Sequence, residues 1–264
     1  MTILIRASSV PTMFDCALRW QTEHLEKRRC PKSLNAQLGT AVHKGTAVFD
    51  IERVSGKPGN LTAAKDAAAE AMDKPEEEIA LTPDDKPAQS KDIAVSLVDK
   101  YATEFAPTHA FVGVEIGVPA LELTDLGLIL TGTADRVRMT EDGPGIADVK
   151  TGKTIVNANN EVDVAGHASQ IGVYELLAGA AIGQPMTAPA EIIGLQTNVT
   201  RDKQRIAVGT IINAREVLIG DEQNRGLLPV MADIAHGRVT WGNPKSYLCH
   251  KKYCARFNSC FYRR

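Results

Sequence analysis

Three residues between positions 135 and 150 carry the chemistry that is easiest to name in this sequence. Asp135 follows Gly-Thr-Ala in one apolar run, Asp148 sits in the next, and Lys150 comes two residues later. Side chains alternate along a strand, so Asp148 and Lys150 share a face. A turn of hairpin size separates Asp135 from Asp148 and can bring both carboxylates within reach of one divalent ion. Mg²⁺ takes oxygen ligands in an octahedral shell, and a lysine beside it can stabilise developing negative charge or orient an attacking water. The same Asp-x-Lys is also the pattern of an ordinary solvent-facing ion pair. His43 lies on a helical segment with Gly39 four residues before it, a glycine that leaves room for another backbone. Imidazole suits Mn²⁺ and is tolerated by Mg²⁺, although a packed or surface histidine fits that position too. Gln170 and Tyr174 are four apart, on one helix face.

The second concentration of chemistry is sulfur. Cys16 and Cys30 lie near the start, Cys249, Cys254 and Cys260 lie in the last sixteen residues, and none lies between. Two termini gathered around something thiophilic produce that distribution. The tail spacing C-x4-C-x5-C supplies three thiolates, and a tetrahedral zinc or a [4Fe–4S] cube needs a fourth. From Lys245 to Arg264 six basic residues and no acidic ones alternate with Tyr247, Tyr253, Phe257, Phe261 and Tyr262. Basic groups neutralise phosphate and aromatic rings stack on unpaired bases. A second basic run, residues 19–32, carries a net charge of +3.

These residues need elements to position them. At 264 residues and 44% hydrophobic, the chain has ample material for a core. A net charge of −2 excludes a general basic coat, while leaving room for a local basic groove. The opening residues lack the apolar run of a signal peptide and no stretch is long enough to span a bilayer, so a cytoplasmic setting is expected. Periodicity predicts a helix starting at a Ser8 or Ser9 cap and reaching beyond Leu18, and helices over 33–54, 61–72 and 90–105. Residues 74–89 are acidic and proline-broken, which predicts an exposed loop away from any nucleic-acid surface. Strands are predicted at 109–121, 126–139 and 146–152, with a tight turn at 141–145. A helix over 162–182, strands at 191–198 and 204–212, and one long helix over 214–236 complete the pattern. Helices followed by largely antiparallel strands make an α/β domain with a mixed sheet. One domain over 1–264 is expected, with a helical part to about 106, a core over 107–240 and a cysteine-rich tail over 241–264.

In combination these features resemble the PD-(D/E)XK nuclease superfamily, in its RecB-like branch with phage exonucleases and the Cas4-like proteins. SSVPTMFDCALRW at 8–20 is similar to that branch's serine-led N-terminal signature, and GTAVH at 39–43 to its glycine–histidine motif. GTADRV at 132–137, DVKTG at 148–152 and Gln170 to Tyr174 match its remaining motifs in order. The usual proline before the first aspartate is Ala134 here. The resemblance implies a restriction-endonuclease-like core with a mixed sheet flanked by helices. It implies metal ligation by His43, Asp135 and Asp148, with the Val149 carbonyl as a further oxygen and Glu115 as an additional acidic contact. Lys150 becomes the catalytic lysine, and Gln170 and Tyr174 position the DNA strand.

The resemblance also selects Cys16 over Cys30 as partner to Cys249, Cys254 and Cys260 around a [4Fe–4S] cluster stapling the two ends. The branch often has C-x2-C-x5-C, so the x4 gap keeps structural zinc open as the alternative. The implied activity is Mg²⁺- or Mn²⁺-dependent exonucleolytic hydrolysis of linear or single-stranded DNA ends. Phage or mobile-element recombination or repair is its implied setting, with phage recombination proteins as partners and no membrane. A CRISPR-adaptation nuclease of the Cas4 type is one alternative. A non-catalytic DNA-binding scaffold is the other, although such a scaffold has no physical need to keep Asp135, Asp148 and Lys150 together.

Overall fold

The computed structural model describes residues 2–263, so Arg264 of the basic tail lies outside the described residues. Strand β1 (Ile3–Arg6) leads through a 3-10 turn into α1 (Val10–Asp15) and α2 (Ala17–His24). The expected first helix is thus two, broken at Cys16, whose backbone is extended (φ −152°, ψ 96°). Ser9 does not cap with its side chain. Its hydroxyl donates to the Arg6 carbonyl (2.8 Å) and accepts from Trp20 Nε1 (3.0 Å), tying the two short helices together.

Strand β2 (Lys32–Ser33) opens onto α3 (Leu34–Val54), capped by Ser33 Oγ, and α4 (Leu61–Asp73) is capped by Asn60 Oδ1. The acidic segment is exposed as expected, but Ile79–Ala80 within it form β3, paired parallel to β2. Helix α5 (Pro87–Lys100) continues as one π-helical stretch to Phe105. The remaining elements are β4 (Gly113–Gly117), β5 (Leu121–Leu123), β6 (Leu128–Thr131), β7 (Thr133–Thr140), β8 (Gly143–Gly152), α6 (Ala168–Ile182), β9 (Ala190–Gln196), β10 (Arg205–Ile211), α7 (Ala214–Ile219) and α8 (Leu227–Ala235).

The main sheet runs β10–β9–β8–β7–β4, and only β8 and β9 are parallel, with α6 as their crossover. It is the expected mixed sheet with helices on both faces. Alternation along β8 decides which side chain meets which layer. Ile146 packs with Val173, Leu177 and Trp20 on the α6 side, whereas Ala147 and Val149 pack with Leu38, Val42 and Leu97 on the α3 side. Each such buried Ile, Leu or Val contributes about 1.5–3 kcal/mol.

Three sequence expectations give way to packing. The run 126–139 divides at Gly132, so that β6 joins β1 and β5 in a second sheet. A Cβ at Gly132 would stand 2.9 Å from the Tyr174 ring and 3.2 Å from Ala7 Cβ. Helix α6 begins at Ala168 instead of 162, because Val162 bridges to Val156 and lies over Gly194 and Gly209 of the sheet. The long helix expected at 214–236 is interrupted by a loop in which Gly220 (φ +84°) and Gly226 cross so closely that a Cβ on either would collide with the other's backbone. No helix among the described residues is long and apolar enough to cross a membrane.

Candidate metal centre

Strands β7 and β8 pair down to Arg136 and Ala147, and the next facing positions, Asp135 and Asp148, lie just past the end of that ladder. There Asp135 Oδ2 accepts a hydrogen bond from the Val149 N–H (3.0 Å), filling the gap that the missing rung leaves. The Val149 amide is thereby engaged at the site. Helix α3 brings in His43, whose Nε2 is 2.7 Å from Asp135 Oδ2 and whose Nδ1 is 3.3 Å from Glu115 Oε1. His43, Glu115 and Asp135 thus offer three ligand atoms within 4.8 Å of one another. Glu115 faces Asp135 across the β4–β7 pair with φ +50°, a left-handed backbone unusual for a non-glycine residue.

Asp148 does not join that tight group. It is almost fully buried, with Lys150 Nζ 2.5 Å from Oδ2 on the same strand face, as alternation requires. Lys150 is thus the partner that the buried Asp148 carboxylate has in the site. Burial, reinforced by the Asp135 charge, pushes the Asp148 carboxyl up to about 6. Asp135 behaves oppositely: burial would raise it, but the His43 hydrogen bond and the His43 and Lys150 charges hold it below the usual carboxylate range. Burial disfavours the His43 imidazolium, and the two carboxylates outweigh it and raise the imidazole. Two facing buried carboxylates and an imidazole between acids form a donor set suited to a hard divalent cation.

Helix α6 supplies the roof. Gln170 Nε2 donates to the Tyr174 hydroxyl (3.1 Å), both side chains being buried. Burial, then the Asp135 and Asp148 charges, pushes the Tyr174 phenol well up, so it remains a protonated donor. The close backbone approach expected at Gly39 is not there: a Cβ on it would make ordinary contact with Thr151. It occurs at Gly45, where a Cβ would stand 2.6 Å from Val98 and 2.8 Å from the Ala64 carbonyl.

Sequence reading passed over three residues. Arg136, fully buried on the opposite face of β7, donates to Asp50 Oδ2 (2.8 Å), to the Asp135 carbonyl (2.8 Å) and to Thr46 Oγ1 (3.2 Å). The same Asp50 oxygen accepts from the Tyr101 hydroxyl (2.5 Å). Asp50 follows His43 by two helical turns, and that spacing was the available signal. His167, at the start of α6, is pushed down to about 4 by burial and the Lys150 charge, so it is neutral at pH 7.

The four cysteines Cys16, Cys249, Cys254 and Cys260 line one enclosed cavity with Leu18, Phe257 and Tyr262. Cys30 is elsewhere, facing the Lys251 carbonyl. The termini meet here: Leu18 N–H donates to the Trp241 carbonyl (2.9 Å), and Asp15 accepts from Asn243 (3.0 Å) and Ser246 (2.6 Å). Burial, then Cys260 and Cys16, pushes the Cys249 thiol up, and burial chiefly does the same to Cys254.

The sequence profile of the PD-(D/E)XK nuclease superfamily matches residues 7–261. Among solved structures, a putative exonuclease from Eubacterium rectale superposes with a TM-score of 0.54 at 16% identity, over 93% of this chain and 86% of that one. At that identity the likeness is one of fold. No curated protein matches the chain.

Proposed function

The chain belongs to the PD-(D/E)XK nuclease superfamily, and from that premise we propose that it is a divalent-metal-dependent deoxyribonuclease of the RecB-like branch that shortens DNA from its ends. The observation that carries the reading is the convergence of His43, Glu115 and Asp135 from three separate elements, beside Asp148 and Lys150. When bound there, Mg²⁺ or Mn²⁺ neutralises charge on the scissile phosphate and makes water a stronger nucleophile. Asp135, Asp148, His43 and Glu115, with the Val149 carbonyl as a further oxygen, would hold the cation, His43 as the neutral imidazole. Lys150, beside Asp148 on the same strand face, would donate to the attacking water or to a phosphate oxygen. Gln170 and Tyr174 present donors to the strand from above.

The cysteine cavity is read as the seat of a [4Fe–4S] cluster that Cys16, Cys249, Cys254 and Cys260 would hold. The Cys249 and Cys254 thiols, which their surroundings push up, would lose their protons on binding it. The cluster is the reading that the RecB-like resemblance supports, with structural zinc as its alternative. The RecB-like reading carries with it a role in phage or mobile-element recombination or repair, on one domain spanning the chain.

The test is an assay of anaerobically purified protein on end-labelled linear DNA and closed circular DNA of the same sequence. Expected is nucleotide release from the linear substrate with Mg²⁺ or Mn²⁺, none with chelator, none from the circle, and a loss of more than about a hundredfold in Asp148→Asn. Equal cutting of the circle overturns the exonuclease reading, and hydrolysis undiminished in Asp148→Asn overturns the site.

A further inference from the structure

An open groove runs along α3 from Asn35 and Ala36, past Thr40, to His43 and Glu115. A second groove meets it at the same Asn35 and Ala36, and its walls come from the basic run and the tail: Arg29, Lys32, Tyr247 and Tyr253. Together they form one path, and the helical rise from Asn35 to His43 puts their junction roughly 12 Å from the metal centre.

The outer groove is lined by basic, aromatic and acidic side chains. Tyr247 is 81% exposed, with its ring 5.9 Å from that of Tyr253. A tyrosine so exposed contributes little to packing, and no core contact accounts for its place. Lys252 lies over the Tyr253 ring (5.8 Å), and Lys32 is held across the groove by Thr40 Oγ1 (2.6 Å). Glu77 lines the same groove, and the segment that carries it between the exposed Glu76 and Glu78 is fastened by the β2–β3 pair and by the Lys32 N–H to Glu78 carbonyl hydrogen bond (3.0 Å). Glu76 pairs with Lys44 of the inner groove. The acidic segment thus borders the path instead of standing apart from it.

We propose that this outer groove is a binding site for one unpaired DNA strand, in which Tyr247 and Tyr253 take a base, Arg29 and Lys32 take phosphates, and Glu76–Glu78 keep a complementary strand out. The inference rests on the nuclease reading and deepens it. Stacking tolerates any base, and phosphate contacts carry no sequence information, so the site grips strands without sequence preference. A second strand would bring its phosphates against Glu77 and its acidic neighbours, whereas a single strand can keep its own on Arg29 and Lys32. The site lies several nucleotides from the scissile bond, so it acts on long strands and not on the shortest ones.

The test uses full-length, anaerobically purified protein with Mn²⁺ and compares thymidine oligonucleotides of twenty and two residues. Tyr247→Ala with Tyr253→Ala is expected to raise KM for the twenty-mer about tenfold, the loss of one stacked base, while leaving kcat and hydrolysis of the dinucleotide unchanged. Tyr247→Trp with Tyr253→Phe is expected to restore the wild-type KM. Glu76→Gln, Glu77→Gln and Glu78→Gln together are expected to strengthen binding of a blunt duplex at least as much as that of a single strand. Unchanged KM in the double alanine variant overturns the site, and so does a wild-type preference for duplex that the tyrosine changes do not alter. Absence of hydrolysis by wild type on every substrate strikes at the nuclease reading itself, a result separable from the others.

Discussion

His43 is the residue on which the metal reading turns, because it touches both Asp135 and Glu115 and comes from the far layer of the fold. His43→Ala is expected to weaken Mn²⁺ binding at least about tenfold and to recover part of its activity at high Mn²⁺. Calorimetric titration checks it, and unchanged affinity and stoichiometry would reduce His43 to a structural role. Glu175 is a different buried acid, one residue past Tyr174 and outside the metal group. Burial, with Glu216 adding to it, raises its carboxyl from 4.5 to about 7 against the opposing backbone N–H of Arg215. Between those two pH values the folded chain keeps a proton that the unfolded chain has released, so stability falls as pH rises through that window. The loss amounts to at most ~3 kcal/mol. Glu175→Gln is expected to flatten the decline between pH 5 and pH 8 in urea denaturation, and an undiminished decline in the variant would contradict the assignment.

Among the elements, the decisive joint is between α3 and the β7–β4 edge. Arg136 and Asp50 form a buried pair that grips the Asp135 carbonyl and approaches Glu115 to 3.6 Å. Arg136 is a positioning residue: it touches neither metal nor substrate and sets the spacing of those that do. Removing one partner leaves the other charged and buried, so Arg136→Met should destabilise the fold by ~3–5 kcal/mol. The double variant Arg136→Met with Asp50→Leu should recover part of that stability but not the Mn²⁺ affinity, because the anchor on Asp135 is still gone. Denaturation and metal titration of the set form a cycle, and a double variant with wild-type metal affinity would deny Arg136 this role.

For the whole molecule, the cysteine cavity joins ends that are more than two hundred residues apart. By loop-closure scaling a crosslink of that span is worth on the order of 5 kcal/mol. Cys16→Ser is therefore expected to lose the cofactor and lower stability throughout, reducing nuclease activity although the carboxylates are untouched. Cys30→Ser, whose thiol faces away from that cavity, is expected to be near neutral. Iron, sulfide and zinc analysis after anaerobic purification checks both: about four irons with four sulfides supports the cluster, about one zinc supports the alternative, and retention of cofactor in Cys16→Ser removes Cys16 from the set.

Local rules were enough for much of this protein. Strand alternation put Asp148 and Lys150 on one face, helical spacing put Gln170 beside Tyr174, and the run of tail cysteines called for a distant partner. Each follows from a period of two or 3.6, or from counting ligands, and needs no knowledge of the rest of the chain. Only tertiary structure decided what those residues face. That Asp135 and Asp148 lie past the last rung of a ladder, and that Arg136 is buried beneath them, depends on where β4, β7 and α3 meet. The breaks at Cys16, Gly132 and Gly220 arise for the same reason. Periodicity continues through such positions, whereas the packing there, such as the Tyr174 ring against Gly132 or the Gly226 backbone against Gly220, is not in it. The acidic segment shows it most plainly: its charge was evident in the sequence, but its place beside the groove was set by two residues pairing with β2.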